Sequence, residues 1–208
     1  FLAFSTREKM FAYFSVIVGL LVILQTFSAY ERFIFYLTYN RVTLITHLLF
    51  ITFLLFFEDF FSLRAHKPRL SKFNRFSIYL IAGYTLLFLG VKFIFPDAAD
   101  IHRLLDFIRE LFVFYTNGLF LFTIASALGW MRTEALLLFI AFIPPALLTS
   151  INAMNIFPFM ARYEGFVGFL MQYNQPIGLS LQAILFSLAM GNRYNRIKLE
   201  RQQSLEES

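Results

Sequence analysis

The chain has 208 residues, of which 59% are apolar and only 15% charged, with a mean hydropathy of +0.66. Soluble domains carry about 25% charged residues, so this composition excludes a soluble enzyme and places the chain among proteins dissolved in lipid. Cysteine is absent, which removes disulfide frameworks, thiolate metal sites and thiol nucleophiles together, and the net charge of +5 is better explained by membrane topology than by nucleic acid.

In chain order, Phe1-Leu2-Ala3-Phe4 and the polar turn Ser5 to Lys9 come first, with neither an initiator Met nor a signal-peptide pattern. They read as the tail of a preceding membrane helix, so the expectation is an excised domain whose first helix lies upstream. Six segments then reach the roughly 20 residues needed to cross about 30 Å of hydrocarbon. Met10 to Tyr30 and Leu111 to Met131 carry no charge. Val42 to Leu63 is uncharged until Glu58 and Asp59, and Phe76 to Phe95 carries only Lys92, close enough to a boundary for its ammonium to snorkel. Ala135 to Met154 contains Pro144-Pro145, and Val167 to Met190 contains Gln172, Asn174, Gln175 and Pro176; a kink or a late start is expected in both. Uninterrupted apolar runs, rather than period-two alternation, exclude a β-barrel. The expected fold is all-α, a polytopic membrane bundle with six spans in residues 1–192. The 30 Phe and 10 Tyr fall inside these runs and read as lipid-facing and packing groups, not as a base-stacking surface.

Charge sets the expected orientation. Arg64, Lys67, Arg69, Lys72 and Arg75 crowd the connection after the second span, and Arg193, Arg196, Lys198 and Arg201 follow the last. Both ends of the chain are therefore expected in the cytoplasm, with Glu31, Asp97, Asp100, Asp106 and Glu164 on the opposite side. No Pro or Gly pair separates the last span from the charged run Arg193 to Gln203, so residues 193–208 read as one rigid rod leaving the bilayer, a means of carrying movement inward. Tyr194, Ile197 and Leu205 keep rough three-and-four spacing. A seam for a parallel homodimer and a run of basic interfacial anchors are both open readings of that pattern.

Polar residues inside spans are costly, about 2.5–3.5 kcal/mol for a central charge, so each is a candidate site. His47 reads either as a ligand contact or pH sensor, or as a neutral imidazole bonded to a neighbouring helix. Asn117, Asn152, Asn155, Gln172, Asn174 and Gln175 gather in the outer half, where they line an outward-facing cavity or bond between helices. Asp106, Arg109 and Glu110 are expected to form one interfacial network on a shared helix face. Glu58 and Asp59 face the basic Arg64 to Arg75 loop across a short distance, where a solvated or salt-bridged inner rim is expected. There is no His-Glu-x-x-His, no Gly-x-Ser-x-Gly, no phosphate-cradling loop and no Lys deep in a span for a retinal. No enzymatic activity, metal or cofactor is expected. A small secondary transporter or channel subunit is the competing reading, resting on proline-broken helices.

Several strings, in order, carry a resemblance. Phe1 to Tyr13, Phe60-Phe61-Ser62-Leu63-Arg64 with Pro68-Arg69-Leu70, and Ile177-Gly178 through Gly191-Asn192-Arg193 with Glu200 resemble the bacterial seven-transmembrane receptors with diverse intracellular signalling modules. Phe61 stands where Leu is usual, Gln182 where an acidic residue often stands, and Gly191-Asn192 where Ala-Asp is usual. The resemblance implies helices two to seven of a seven-helix domain in the bacterial inner membrane. It also implies fusion to an extracellular sensor and to a cytoplasmic kinase, cyclase or phosphatase. His47, Asn117, Asn174 and Gln175 are then the candidate ligand contacts, and Arg193, Tyr194, Arg196 and Ile197 the candidate transmission residues.

Overall fold

The computed structural model describes residues 9–30, 39–95, 97–153 and 164–206, with the side chains of 25–30, 39–42, 148, 152, 164–181, 200–201 and 204 outside the description. The expected helix tail at Phe1 to Glu8, the Glu31 connection and Asn155 lie outside the described residues, as do the side chains of Asn152, Gln172, Asn174 and Gln175. Among the described residues seven helices follow one another: α1 (Lys9–Tyr30), α2 (Tyr39–Phe60), α3 (Leu63–His66), α4 (Pro68–Ile94), α5 (Ala99–Ala127), α6 (Arg132–Ala153) and α7 (Glu164–Glu206). No strand occurs among the described residues. In lipid a helix satisfies its own backbone donors and acceptors, which is why apolar runs of this length adopt it.

Four stretches among the described residues are long and apolar enough to cross a bilayer: Thr43–Phe60, Pro68–Ile94, Ala99–Ala127 and Arg132–Ile151. A fifth, Lys9–Leu24, is apolar but shorter. The other expected crossings, Met10 to Tyr30 and Val167 to Met190, run into side chains outside the description.

Two helices begin ahead of the apolar spans expected within them. Helix α4 starts at Pro68 rather than Phe76, because proline is preorganised for the first helical turn and its missing N–H costs nothing there. Helix α5 starts at Ala99 rather than Leu111, with Asp100 in its first turn, where a carboxylate complements the helix dipole. Helix α6 continues through Pro144 and Pro145. Of the kink or late start expected near Pro176, the late start is not seen: α7 begins at Glu164 and passes through that proline. A proline removes only one N–H from the ladder, and in a membrane helix the freed carbonyl is re-satisfied locally.

The chain divides into two compact units, Phe1–Asp106 and Phe107–Ser208, and the division falls within α5. In the first, α2 packs against both α1 and α4. Its centre is a phenylalanine stack on α2 and the turn after it: Phe56 lies 5.0 Å from Phe60, and Phe60 meets Phe61 edge-on at 5.1 Å. Phe56, Phe57, Phe60 and Phe61 are wholly buried. The buried face of α4 changes character along its length, from Ser71, Asn74 and Ser77 to Ile81, Tyr84, Thr85 and Phe88.

In the second unit α6 packs along α7. Phe142 of α6 sits between Phe120 of α5 at 5.8 Å and Phe186 of α7 at 6.2 Å. Buried Ala135, Ala141 and Ala189 line these helices, and small residues let helix backbones approach closely where lipid offers no hydrophobic drive.

Candidate functional site

Four arrangements of polar side chains punctuate this apolar frame. The first is the corner between α2 and α4. After Phe60 the chain turns sharply at Ser62, whose φ of 51° and ψ of 45° lie in the left-handed region. That reversal, followed by α3, brings Arg64, Ser71 and Arg75 back over the last turn of α2. All converge on one atom, Oε1 of Glu58: Arg64 Nε donates at 2.7 Å, Ser71 Oγ at 3.1 Å, and Arg75 Nε and Nη2 at 2.9 and 2.7 Å. Glu58 is only 4% exposed, whereas the side chains of Arg64 and Arg75 are 70% and 42% exposed. The corner therefore consists of a buried carboxylate under two partly solvated guanidiniums, with charge-assisted bonds of the strong kind. Of the two forms expected of the inner rim, Glu58 takes the salt-bridged one, with two of the five cations.

The second arrangement joins α2 to α4 and α5. His47 Nδ1 lies 2.9 Å from Thr85 Oγ1, and that hydroxyl donates to the carbonyl of Ile81 at 2.7 Å. Threonine has one hydroxyl proton and the carbonyl can only accept it, so Nδ1 is the donor to Thr85 and a neutral ring carries its lone pair on Nε2. Tyr84, edge-on to His47 at 5.5 Å, donates to the Leu105 carbonyl at 2.6 Å. His47 is thus a buried link between helices.

The third concerns the acidic groups of α5. Asp106 faces Lys92 of α4 at 3.5 Å, while Arg109 pairs with its neighbour Glu110. The Lys92 ammonium lies between Asp106 and the Phe88 ring, 5.3 Å away, with its side chain 14% exposed.

The fourth lies in the second unit. Asn117 Nδ2 of α5 donates toward α6, to the Ala146 carbonyl at 3.2 Å, Thr149 Oγ1 at 2.8 Å and Ser150 Oγ at 3.1 Å. Gln182 of α7 is buried, and its Oε1 accepts no hydrogen bond. Asn174 and Gln175 belong to α7, with side chains outside the description.

Helix α7 is the longest element, 43 residues from Glu164 to Glu206, or about 65 Å at 1.5 Å per residue. Its packed stripe, Gln182, Phe186, Ala189 and Met190, continues at helical spacing through Arg193 and Ile197, both half-buried, while Tyr194 and Arg196 are exposed beside it. The four candidate transmission residues therefore divide between a packed face and an open one. From the Phe142–Phe186 contact, an equal count of residues carries α6 back to its start at Arg132 and α7 on to Arg196. Beyond Ile197, α7 has outrun α6, with Leu199 and Leu205 exposed.

Thr85, Ser71 and the Thr149–Ser150 pair were not among the sequence candidates. A signal existed for Ser71: with Asn74 and Ser77 it forms a three-residue polar repeat in an otherwise apolar helix.

Among the described residues, helices with several apolar spans, polar links between them and a charged rod continuing the last one are the architecture of a multi-pass membrane protein. A family model described as 7TM diverse intracellular signalling matches residues 1–193. The chain belongs to that family, and is a membrane receptor domain. No curated protein and no solved structure matches it.

Proposed function

We propose that this domain receives a signal outside the cytoplasmic membrane and passes it, through α7, to a fused cytoplasmic kinase, cyclase or phosphatase. The observation that carries the proposal is the continuity of α7: one helix packs in the bundle through Gln182, Phe186 and Met190 and then leaves it through Arg193 and Ile197. A movement of the packed segment is a movement of the free one. In this reading the domain crosses the membrane six times, with Arg64 to Arg75 and Arg193 to Arg201 in the cytoplasm. His47, Asn117, Asn174 and Gln175 are the candidate ligand contacts, and Tyr194, Ile197 and Leu205 form one side of a parallel homodimer seam. A transporter would use helices interrupted near the midplane; α6 is continuous through Pro144 and Pro145, and α7 through Pro176.

The test is a chimera in which a diguanylate cyclase follows Ser208 and one to four alanines are inserted between Gln203 and Ser204. Basal cyclase activity is expected to rise and fall with insertion length at a period of about 3.6 residues. Activity indifferent to insertion length would overturn rod-like transmission.

A further inference from the structure

We infer that the α2–α4 corner is a binding site for an anionic glycerophospholipid. Its phosphate is held by Arg64 and Arg75, and its acyl chains lie along the outer face of α4. Three independent observations converge on this ligand.

The first is the state of the two guanidiniums. Glu58 Oε1 takes only the Nε of Arg64, and the Nε and one terminal nitrogen of Arg75. One carboxylate oxygen thus fixes two guanidiniums side by side while both terminal nitrogens of Arg64 and Nη1 of Arg75 stay uncommitted. Both side chains are substantially exposed, so those N–H groups face outward. Two adjacent guanidinium edges already oriented by a buried anion suit a phosphate, which accepts paired N–H donors.

The second is charge. Lys67, Arg69 and Lys72 are exposed around the same corner, and against the carboxylates of Glu58 and Asp59 the five basic residues keep a positive excess. Glu58 alone does not neutralise the site.

The third is the surface that continues from it. Lys72, the adjacent Arg75 and Phe76, then Tyr79, Gly83 and Leu86 succeed one another at three- and four-residue steps on α4, so they form a single stripe. Phe76, Tyr79 and Leu86 are 60%, 75% and 73% exposed, and a side chain added at Gly83 would meet nothing within 4 Å. The stripe runs from cations through an amphipathic tyrosine to open apolar surface. That is the polarity profile of a phospholipid from headgroup to acyl chain, with the tyrosine where an interfacial aromatic belongs. A soluble phosphate would use the cations and leave the apolar half without a partner.

The experiment uses the full chain carrying Tyr79→Trp and Trp130→Phe, reconstituted in nanodiscs, with quenching by brominated phosphatidylglycerol compared against brominated phosphatidylcholine. The anionic lipid is expected to occupy the site about fivefold more readily, the effect of about one cation's worth of surface attraction. The preference should disappear when Arg64→Gln and Lys72→Gln are added, and should survive millimolar inorganic phosphate. Arg75 is left intact in that variant, so Glu58 keeps a partner, and an unchanged melting temperature in phosphatidylcholine confirms the fold. Equal quenching by both lipids would reduce the face to ordinary lipid contact. Loss of the preference with phosphate would assign the site to a free anion, and no quenching by either lipid would mean that a second copy or another segment covers it. Each of these three outcomes overturns the proposal.

Discussion

At the scale of single residues, Glu58 and Asn74 show two opposite fates for a polar group buried between apolar helices. Glu58 is met by donors from three residues at one oxygen. Asn74, fully buried on the same side of α4 as Ser71, has neither amide atom in a hydrogen bond, a deficit of about 1–3 kcal/mol for a buried polar group. The Glu58 corner makes a quantitative prediction. Replacing both guanidiniums, Arg64→Gln with Arg75→Gln, leaves the carboxylate with Ser71 alone, and an uncompensated buried charge at Glu58 should cost about 3 kcal/mol. Adding Glu58→Gln removes the orphaned charge and should recover most of that loss. A thermodynamic cycle of unfolding free energies in mixed micelles measures both steps; a triple variant no more stable than the double would show that the carboxylate is not the source of the cost.

Among elements, the connection between α2 and α4 depends on Ser62. A non-glycine residue in the left-handed region costs about 1–2 kcal/mol, and here that conformation turns the chain so that Arg64, Ser71 and Arg75 can reach Glu58. Ser62→Gly removes the strain but gains chain entropy in the unfolded state, about 0.5–1 kcal/mol, so its stability should stay within about 1 kcal/mol of the parent. Ser62→Val places a β-branched side chain in a region it avoids and should destabilise by about 2 kcal/mol or more. Thermal unfolding of the two variants gives the order directly, and a valine variant as stable as the glycine variant would refute the role assigned to the turn. The turn also marks where sequence reasoning ran out. Apolar runs were enough to predict α2, α4, α5 and α6 and the placing of Glu58 against the basic loop, because burial and charge are properties of composition. Nothing in a serine predicts a positive φ, and helix ends at Pro68 and Ala99 are set by local capping chemistry that the hydrophobic pattern does not record. The Lys92–Asp106 pair joins two helices, so it depends on their alignment and not on either segment alone. The bond from His47 to Thr85 likewise depends on a register between helices that no single segment encodes.

For the whole molecule, the natural absence of cysteine makes topology directly measurable. Single cysteines at Lys67 and Lys198 should react with a membrane-impermeant maleimide only from the cytoplasmic side, and one at Asp97 only from the opposite side. Lys67 and Asp97 labelled from the same side would remove the proposed crossing by α4. The same cysteine-free background, carrying single replacements from Tyr194 to Leu205, tests the homodimer: crosslinks should recur with helical period at the exposed positions, and an aperiodic pattern would exclude a parallel seam.

The continuity of α7 has a mechanical corollary. A helix about 65 Å long is a lever whose fulcrum is its packed half, so one degree of tilt there is about half an ångström of travel at the far tip. Side-chain adjustments too small to open a cavity or break a hydrogen bond would still swing Leu205 through a distance that a neighbouring domain can register.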